Sequence, residues 1–185
     1  FYKNMKKVFI IHGFEGTPNG AWRPWLMKEL DKKDVYACAL SMPTPEAPKL
    51  NEWIEEIKRF VDINKNDEIV LVGHSLGSTS ILGYLEQENT LPVSECVLVS
   101  GPIYKAKNEK IYEFLEKDFN FDLIKNKSKK FTVIHGDDDP YVSLNNAEDL
   151  SKNLDCKLIL IKEGKHLNGS AGFDTLPECL EVMIN

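Results

Sequence analysis

The chain has 185 residues, 42% of them apolar, and a formal net charge of −6. That length suits one domain over residues 1–185 with a sizeable core, and no apolar run approaches the roughly 20 residues a membrane helix needs. The negative charge speaks against a nucleic-acid partner, because phosphate backbones repel such a surface.

Phe1 to Asn4 precede Met5 and read as residues ahead of the native start. Lys6-Lys7 is followed by only four apolar residues before His12, too few for a signal peptide. Short apolar runs then alternate with segments of helical period. Strands are expected at Val8–Ile11, Val35–Leu40, Ile69–Val72, Cys96–Val99, Phe131–His135 and Lys157–Ile161. They are short, rich in β-branched residues and without a polar alternate face, as strands covered on both sides are. Helices are expected at Trp22–Lys32, Leu50–Ile63, Leu76–Glu88, Glu109–Phe119, Leu144–Asn153 and Asp174–Ile184. Leu50–Ile63 is the clearest, with Trp53, Ile54, Ile57, Phe60 and Val61 at helical spacing. The alternation predicts an α/β fold, a mostly parallel six-stranded sheet with helices on both faces. Pro43, Pro45 and Pro48 stiffen the loop after the second strand.

Lys105-Ala106-Lys107 and Lys125 to Lys130 are basic, but acidic residues flank both, and they read as solvated loops. Cys38, Cys96, Cys156 and Cys179 show no ligand spacing; three lie in strand-like stretches, as small core hydrophobes do. Such usage suits a reducing, cytoplasmic setting.

Ligands of such sheets bind beyond the carboxyl ends of the strands. The polar residues there are His12-Gly13, Gly73-His74-Ser75, Ser100-Gly101, His135 to Asp139 and His166. Gly73 and Gly77 bracket Ser75 in "VGHSLGS", a G-x-S-x-G between an expected strand and an expected helix. Small residues two before and two after the apex let strand and helix approach, and push the serine outward in a strained conformation. A serine hydroxyl needs a base to become a nucleophile. His166, in the loop "EGKHLNGSAGF" after the last strand, completes the order Ser…Asp…His and is the candidate. His74 is expected to point away as a structural group, His12 to brace its loop and His135 to pack at the sheet rim.

"HGDDDPYVS" ends the fifth strand with three carboxylates. Without further ligand-spaced residues they do not make a metal site. Asp139, whose backbone is restricted by Pro140, is the candidate acid, with Asp138 as the alternative. The oxyanion formed in acyl transfer needs N–H donors. Leu76 N–H is one candidate, and Phe14 N–H, with Glu15 as the alternative, is the other.

These blocks, "VFIIHGFEGTP…AWRPWLMKEL", "SMPTPEAPKLNEWIEEI", "VLVGHSLGS", "VIHGDDDPYVS" and "GKHLNGSAGF", together resemble the small α/β-hydrolases of the retinoblastoma-binding-protein type. This serine hydrolase family has many bacterial members. The resemblance covers nearly the whole chain. It implies a minimal α/β-hydrolase with six parallel strands and no large cap domain, and Ser75, Asp139 and His166 as triad. The chain departs from the family's pattern where Lys165 stands between Gly164 and His166.

The expected activity is hydrolysis of small or medium carboxylic esters through an acyl-enzyme on Ser75, with no cofactor and a small-molecule acyl substrate. Thioesterase, amidase or peptidase activity is the nearest alternative; a protein-interaction module keeping the fold is the non-enzymatic one. Only the segment from Tyr104 to Ser128 is long enough to overhang the site. Phe114, Phe119 and Phe121 in it suit either an apolar wall or helix packing.

Overall fold

The computed structural model describes residues 4–105, 108–116 and 118–184. Most of Phe1 to Asn4, and Ala106 and Lys107 of the first basic stretch, lie outside the described residues. Six strands follow in chain order: β1 (Lys6–Ile11), β2 (Tyr36–Leu40), β3 (Glu68–His74), β4 (Glu95–Val99), β5 (Phe131–Gly136) and β6 (Lys157–Ile161). They form one sheet in the order β2-β1-β3-β4-β5-β6, and all five pairings are parallel. The helices are α1 (Arg23–Asp31), α2 (Leu50–Ile63), α3 (Leu76–Glu86), α4 (Phe121–Lys125), α5 (Leu144–Leu154) and α6 (Pro177–Ile184).

Side chains on a strand alternate between faces, so each central strand feeds two cores. Phe9, Ile11, Ile69, Leu71, Cys96, Leu98, Phe131 and Val133 pack on one side with α2, α3, α4 and α5. Val8, Ile10, Val70, Val72, Val97, Val99 and Ile134 pack on the other with α1 and α6. Burial on both faces removes any polar alternate face from β1, β3, β4 and β5, which is why their sequences read as continuous apolar runs. β2 and β6 keep partly exposed residues because they are the sheet edges.

The expected helix over Glu109–Phe119 is instead a 3-10 segment, Glu109–Leu115, followed by the separate helix α4. Two asparagines explain the break. Asn108 accepts from the Lys110 N–H at 3.1 Å and Asn120 from the Leu123 N–H at 3.3 Å, so each side chain starts a new turn. Phe114 is fully buried, edge-on to Trp53 at 5.3 Å, and belongs to the core rather than to a wall of the cleft. Two lysines of the second basic stretch are tied to the segment that leads into β4. Lys127 donates to the Thr90 carbonyl at 2.5 Å, and Lys130 pairs with the buried Glu95 at 2.8 Å. Among the described residues no helix is long and apolar enough to cross a membrane.

The chain goes from β1 outward to β2, then back across to β3 on the other side of β1. Strand order reverses at β1 and β3, so the loops leaving their carboxyl ends diverge and open a crevice there. Gly13 and Ser75 stand at that point.

Candidate active site

Ser75 lies between β3 and α3 with φ 54° and ψ −121°, a backbone region that costs a non-glycine residue on the order of 1–3 kcal/mol. The turn is possible only because its flanks are bare. A Cβ on Gly73 would lie 2.4 Å from the Ser78 nitrogen, and one on Gly77 would lie 2.2 Å from the Ile11 carbonyl oxygen. The Ser75 N–H donates to the Val99 carbonyl at 2.8 Å, which ties the apex to β4. His74 and Leu76 are buried on either side while Ser75 is partly exposed. Side-chain exposure at the apex is thus what the sharp turn secures.

The β1 loop meets this apex closely. A Cβ on Gly13 would stand 2.7 Å from Ser75 Cβ and 3.3 Å from its Oγ. His12 holds the loop. The Met42 N–H donates to its Nε2 at 3.3 Å, so the ring proton is on Nδ1, which donates to the Gly13 carbonyl at 2.9 Å. Burial pushes the His12 imidazole below its usual range, which keeps it neutral in that role. The Glu15 N–H is committed to the Pro45 carbonyl at 2.8 Å, whereas the Phe14 N–H makes no hydrogen bond among the described residues. Leu76, as the first residue of α3, has no intrahelical partner for its N–H.

His166 and Asp139 are brought together. The imidazole Nδ1–H donates to Asp139 Oδ2 at 2.7 Å, leaving Nε2 with a free lone pair. Asp139 Oδ1 accepts from the backbone N–H groups of Tyr141 and Val142 at 2.9 and 3.0 Å. The carboxylate side chain is fully buried. Burial alone would raise its pKa, but the hydrogen bond and charge of His166, with the two backbone donors, outweigh burial and hold it below the usual carboxylate range. Asp138, the alternative acid, does something else: its Oδ1 accepts from the Lys165 N–H at 2.7 Å, and its Oδ2 is 3.6 Å from Lys165 Nζ. Asp137 accepts from the Glu163 N–H at 2.8 Å. The three adjacent carboxylates therefore fasten the β5 end to the loop that carries His166.

His74 is more than a residue turned away from the apex. Its Nε2–H donates to the His166 carbonyl at 2.8 Å, with the two rings 5.0 Å apart. Burial, then the proximity of His166, push its pKa down to about 3, so it stays a neutral donor. Trp22 adds a second tie, donating from Nε1 to the Leu167 carbonyl at 2.9 Å. His135, fully buried, donates from Nε2 to the Val142 carbonyl at 3.0 Å and lies 3.8 Å from Asp139 Oδ2. Sequence reasoning missed Trp22 and Tyr141, whose ring sits edge-on to His166 at 5.2 Å. Nothing in a linear pattern marks a tryptophan before a helix as a partner for a loop some 145 residues on.

The departure at Lys165 has a local cost. Glu163, Lys165 and Leu167 all adopt positive φ, at 54°, 48° and 48°, as the loop folds back over β5. A glycine would fit position 165 without strain; Lys165 carries that strain and adds only an exposed pairing with Asp138 at 3.6 Å. Gly136 faces this loop so closely that a Cβ would lie 2.1 Å from the Lys165 carbonyl oxygen.

Residues 8–185 match the serine hydrolase family. The Bacillus subtilis (strain 168) protein YdeN is 31% identical over 180 residues, 96% of this chain and 94% of that one. Its crystal structure superposes with a TM-score of 0.90, covering 97% of each chain. The serine hydrolase RBBP9 of Rattus norvegicus is 22% identical over 169 residues, covering 89% of this chain and 88% of its own. The esterase domain of a Rhodothermus marinus protein shares the fold at 14% identity and a TM-score of 0.71, covering 98% of this chain and 86% of that one.

Proposed function

This chain belongs to the serine hydrolase family, and from that premise we propose that it hydrolyses small or medium carboxylic esters through an acyl-enzyme on Ser75. The observation that carries the reading is the 2.7 Å bond from His166 Nδ1–H to the buried Asp139 carboxylate, because it fixes the tautomer whose Nε2 can take a proton. His166 Nε2 removes the Ser75 hydroxyl proton as Oγ attacks the ester carbonyl carbon. The negative charge that develops on the carbonyl oxygen is met by the N–H groups of Leu76 and Phe14; the engagement of the Glu15 N–H with Pro45 supports Phe14 over Glu15. The carbon–oxygen bond to the alcohol then breaks, and the leaving oxygen takes the proton from His166. Water, deprotonated by the same Nε2, attacks the acyl-enzyme and restores Ser75.

Each step uses side chains and backbone of this chain, and none calls for a cofactor. The four cysteines are free, which supports a cytoplasmic setting. The test is covalent labelling with a fluorophosphonate, read by intact mass, for the native chain and for Ser75→Ala and His166→Ala. A p-nitrophenyl ester series from acetate to decanoate accompanies it. Labelling of the native chain alone, with turnover greatest at the short and medium esters, is expected. A native chain that neither labels nor cleaves any ester would refute the reading.

A further inference from the structure

We infer that Tyr141 is the leaving-group subsite of this cleft, selecting esters whose alcohol portion is aromatic. The inference rests on the acyl-transfer reading above and names its substrate class. Tyr141 is 73% exposed, the most exposed large hydrophobic residue described, yet it is not a loose surface side chain. Its N–H is held by Asp139 Oδ1 at 2.9 Å, while Oδ2 of the same carboxylate holds His166. The next residue, Val142, is buried and pinned at both its N–H and its carbonyl, by Asp139 and His135. One carboxylate thus sets the tyrosine backbone and the imidazole against each other. The result is an edge-on contact with ring centroids 5.2 Å apart and an interplanar angle of 78°.

Chemistry assigns the space beside that contact. When the tetrahedral intermediate collapses, the electron pair of the breaking C–O bond goes to the alcohol oxygen, which takes the proton from His166 Nε2. That oxygen must therefore lie within about 3 Å of Nε2. The Tyr141 ring, its centroid 5.2 Å from the imidazole centre, is close enough for an alcohol portion of aromatic size to reach it from Nε2. The acyl chain leaves the carbonyl carbon in a different tetrahedral direction. An exposed aromatic face suits an aromatic ring, stacked or edge-on.

Benzyl acetate and ethyl acetate test this, because both pass through the same acetyl-enzyme and differ only in the alcohol. In Tyr141→Ala the ratio of kcat/KM for benzyl over ethyl acetate is expected to fall about three- to tenfold, the scale of an aromatic pair. Tyr141→Phe should keep the ratio within about twofold, since the face and not the hydroxyl is used. The ratio for p-nitrophenyl butyrate over p-nitrophenyl acetate, which varies only the acyl chain, should not change in either variant. An unchanged benzyl-to-ethyl ratio in Tyr141→Ala overturns the assignment. So does an equal loss on all four esters, which would make Tyr141 a support for His166 alone. Failure of the acyl-transfer reading looks different: the native chain then releases acetate from neither ester and is not labelled at Ser75.

Discussion

Asp139→Asn tests the proposed part of Asp139 in orienting His166 as base. Asp139 Oδ1 accepts two backbone N–H groups, and Oδ2 accepts the His166 Nδ1–H. An asparagine has one oxygen and one NH2. Turning the NH2 towards Tyr141 and Val142 would set donors against donors at 2.9 and 3.0 Å, so the oxygen stays there and the NH2 faces His166. The imidazole must then accept at Nδ1 and carry its proton on Nε2, where it can no longer receive the Ser75 proton. A wrong tautomer of this kind costs about 10⁴ in kcat in a comparable triad. Stability should fall far less, by about 1–3 kcal/mol for the lost charge-assisted bonds, because the side chain keeps its volume. The assay is the second-order rate of fluorophosphonate labelling beside the thermal midpoint, with Asp138→Asn in parallel. Asp138→Asn loosens the Lys165 tie and should slow labelling by about tenfold or less, corresponding to about 1.4 kcal/mol or less. Labelling of Asp139→Asn within tenfold of the native rate, or an equal collapse in Asp138→Asn, would refute the argument.

Gly13→Ala places a Cβ 2.7 Å from Ser75 Cβ, so the β1 loop must shift; labelling should slow by about 10²-fold, the order lost with one oxyanion donor. Lys165→Gly relieves a φ of 48° and forfeits only an exposed pairing with Asp138, so the protein should gain up to about 1 kcal/mol in urea unfolding. His74 has a pKa of about 3 when folded against an ordinary value of 6.5, so the unfolded chain binds the extra proton between those limits. Its contribution is complete above pH 6.5 and declines as the pH falls towards 3, by up to about 1.4 kcal/mol per pH unit. Asp139, whose pKa is lowered, adds a loss in the same direction below the ordinary carboxylate value. Denaturant titrations of His74→Gln against the native chain should show a shallower decline from pH 6.5 to 4; parallel curves would remove His74 from the account.

The sheet was legible because its four central strands are buried on both faces. Val8 to Ile11 or Ile69 to Val72 have no solvent side to interrupt the apolar run. The glycines of "VGHSLGS" were legible for a related reason, since contacts of 2.2 and 2.4 Å leave no choice of residue. The region from Glu109 to Lys125 was not. A helical period continues through it, but Asn108 and Asn120 each compete for backbone N–H groups and restart the chain. Three consecutive aspartates were only half legible. Their composition suggests a ligand cluster or a turn, and only the folded loop reveals a separate backbone or imidazole partner for each of Asp137, Asp138 and Asp139.

That separation bears on how the site is kept ready. His166 sits in a loop where three residues out of five adopt positive φ, a conformation with little intrinsic stability. The loop is held from two directions. From β5, Asp137, Asp138 and Asp139 take the Glu163 N–H, the Lys165 N–H and the His166 ring; from the elbow and α1, His74 and Trp22 take the carbonyls of His166 and Leu167. His12 must stay neutral to accept the Met42 N–H, and burial is the main cause that keeps it so; burial, then the nearby His166, keeps His74 neutral as well. Strain in the His166 loop and at Ser75 is thus offset by bonds to a rigid sheet end, which places the imidazole before a substrate arrives. On the proposed acyl-transfer reading, a base positioned in advance loses less entropy at the transition state, so loosening His74 or Trp22 should lower the labelling rate more than it lowers the thermal midpoint.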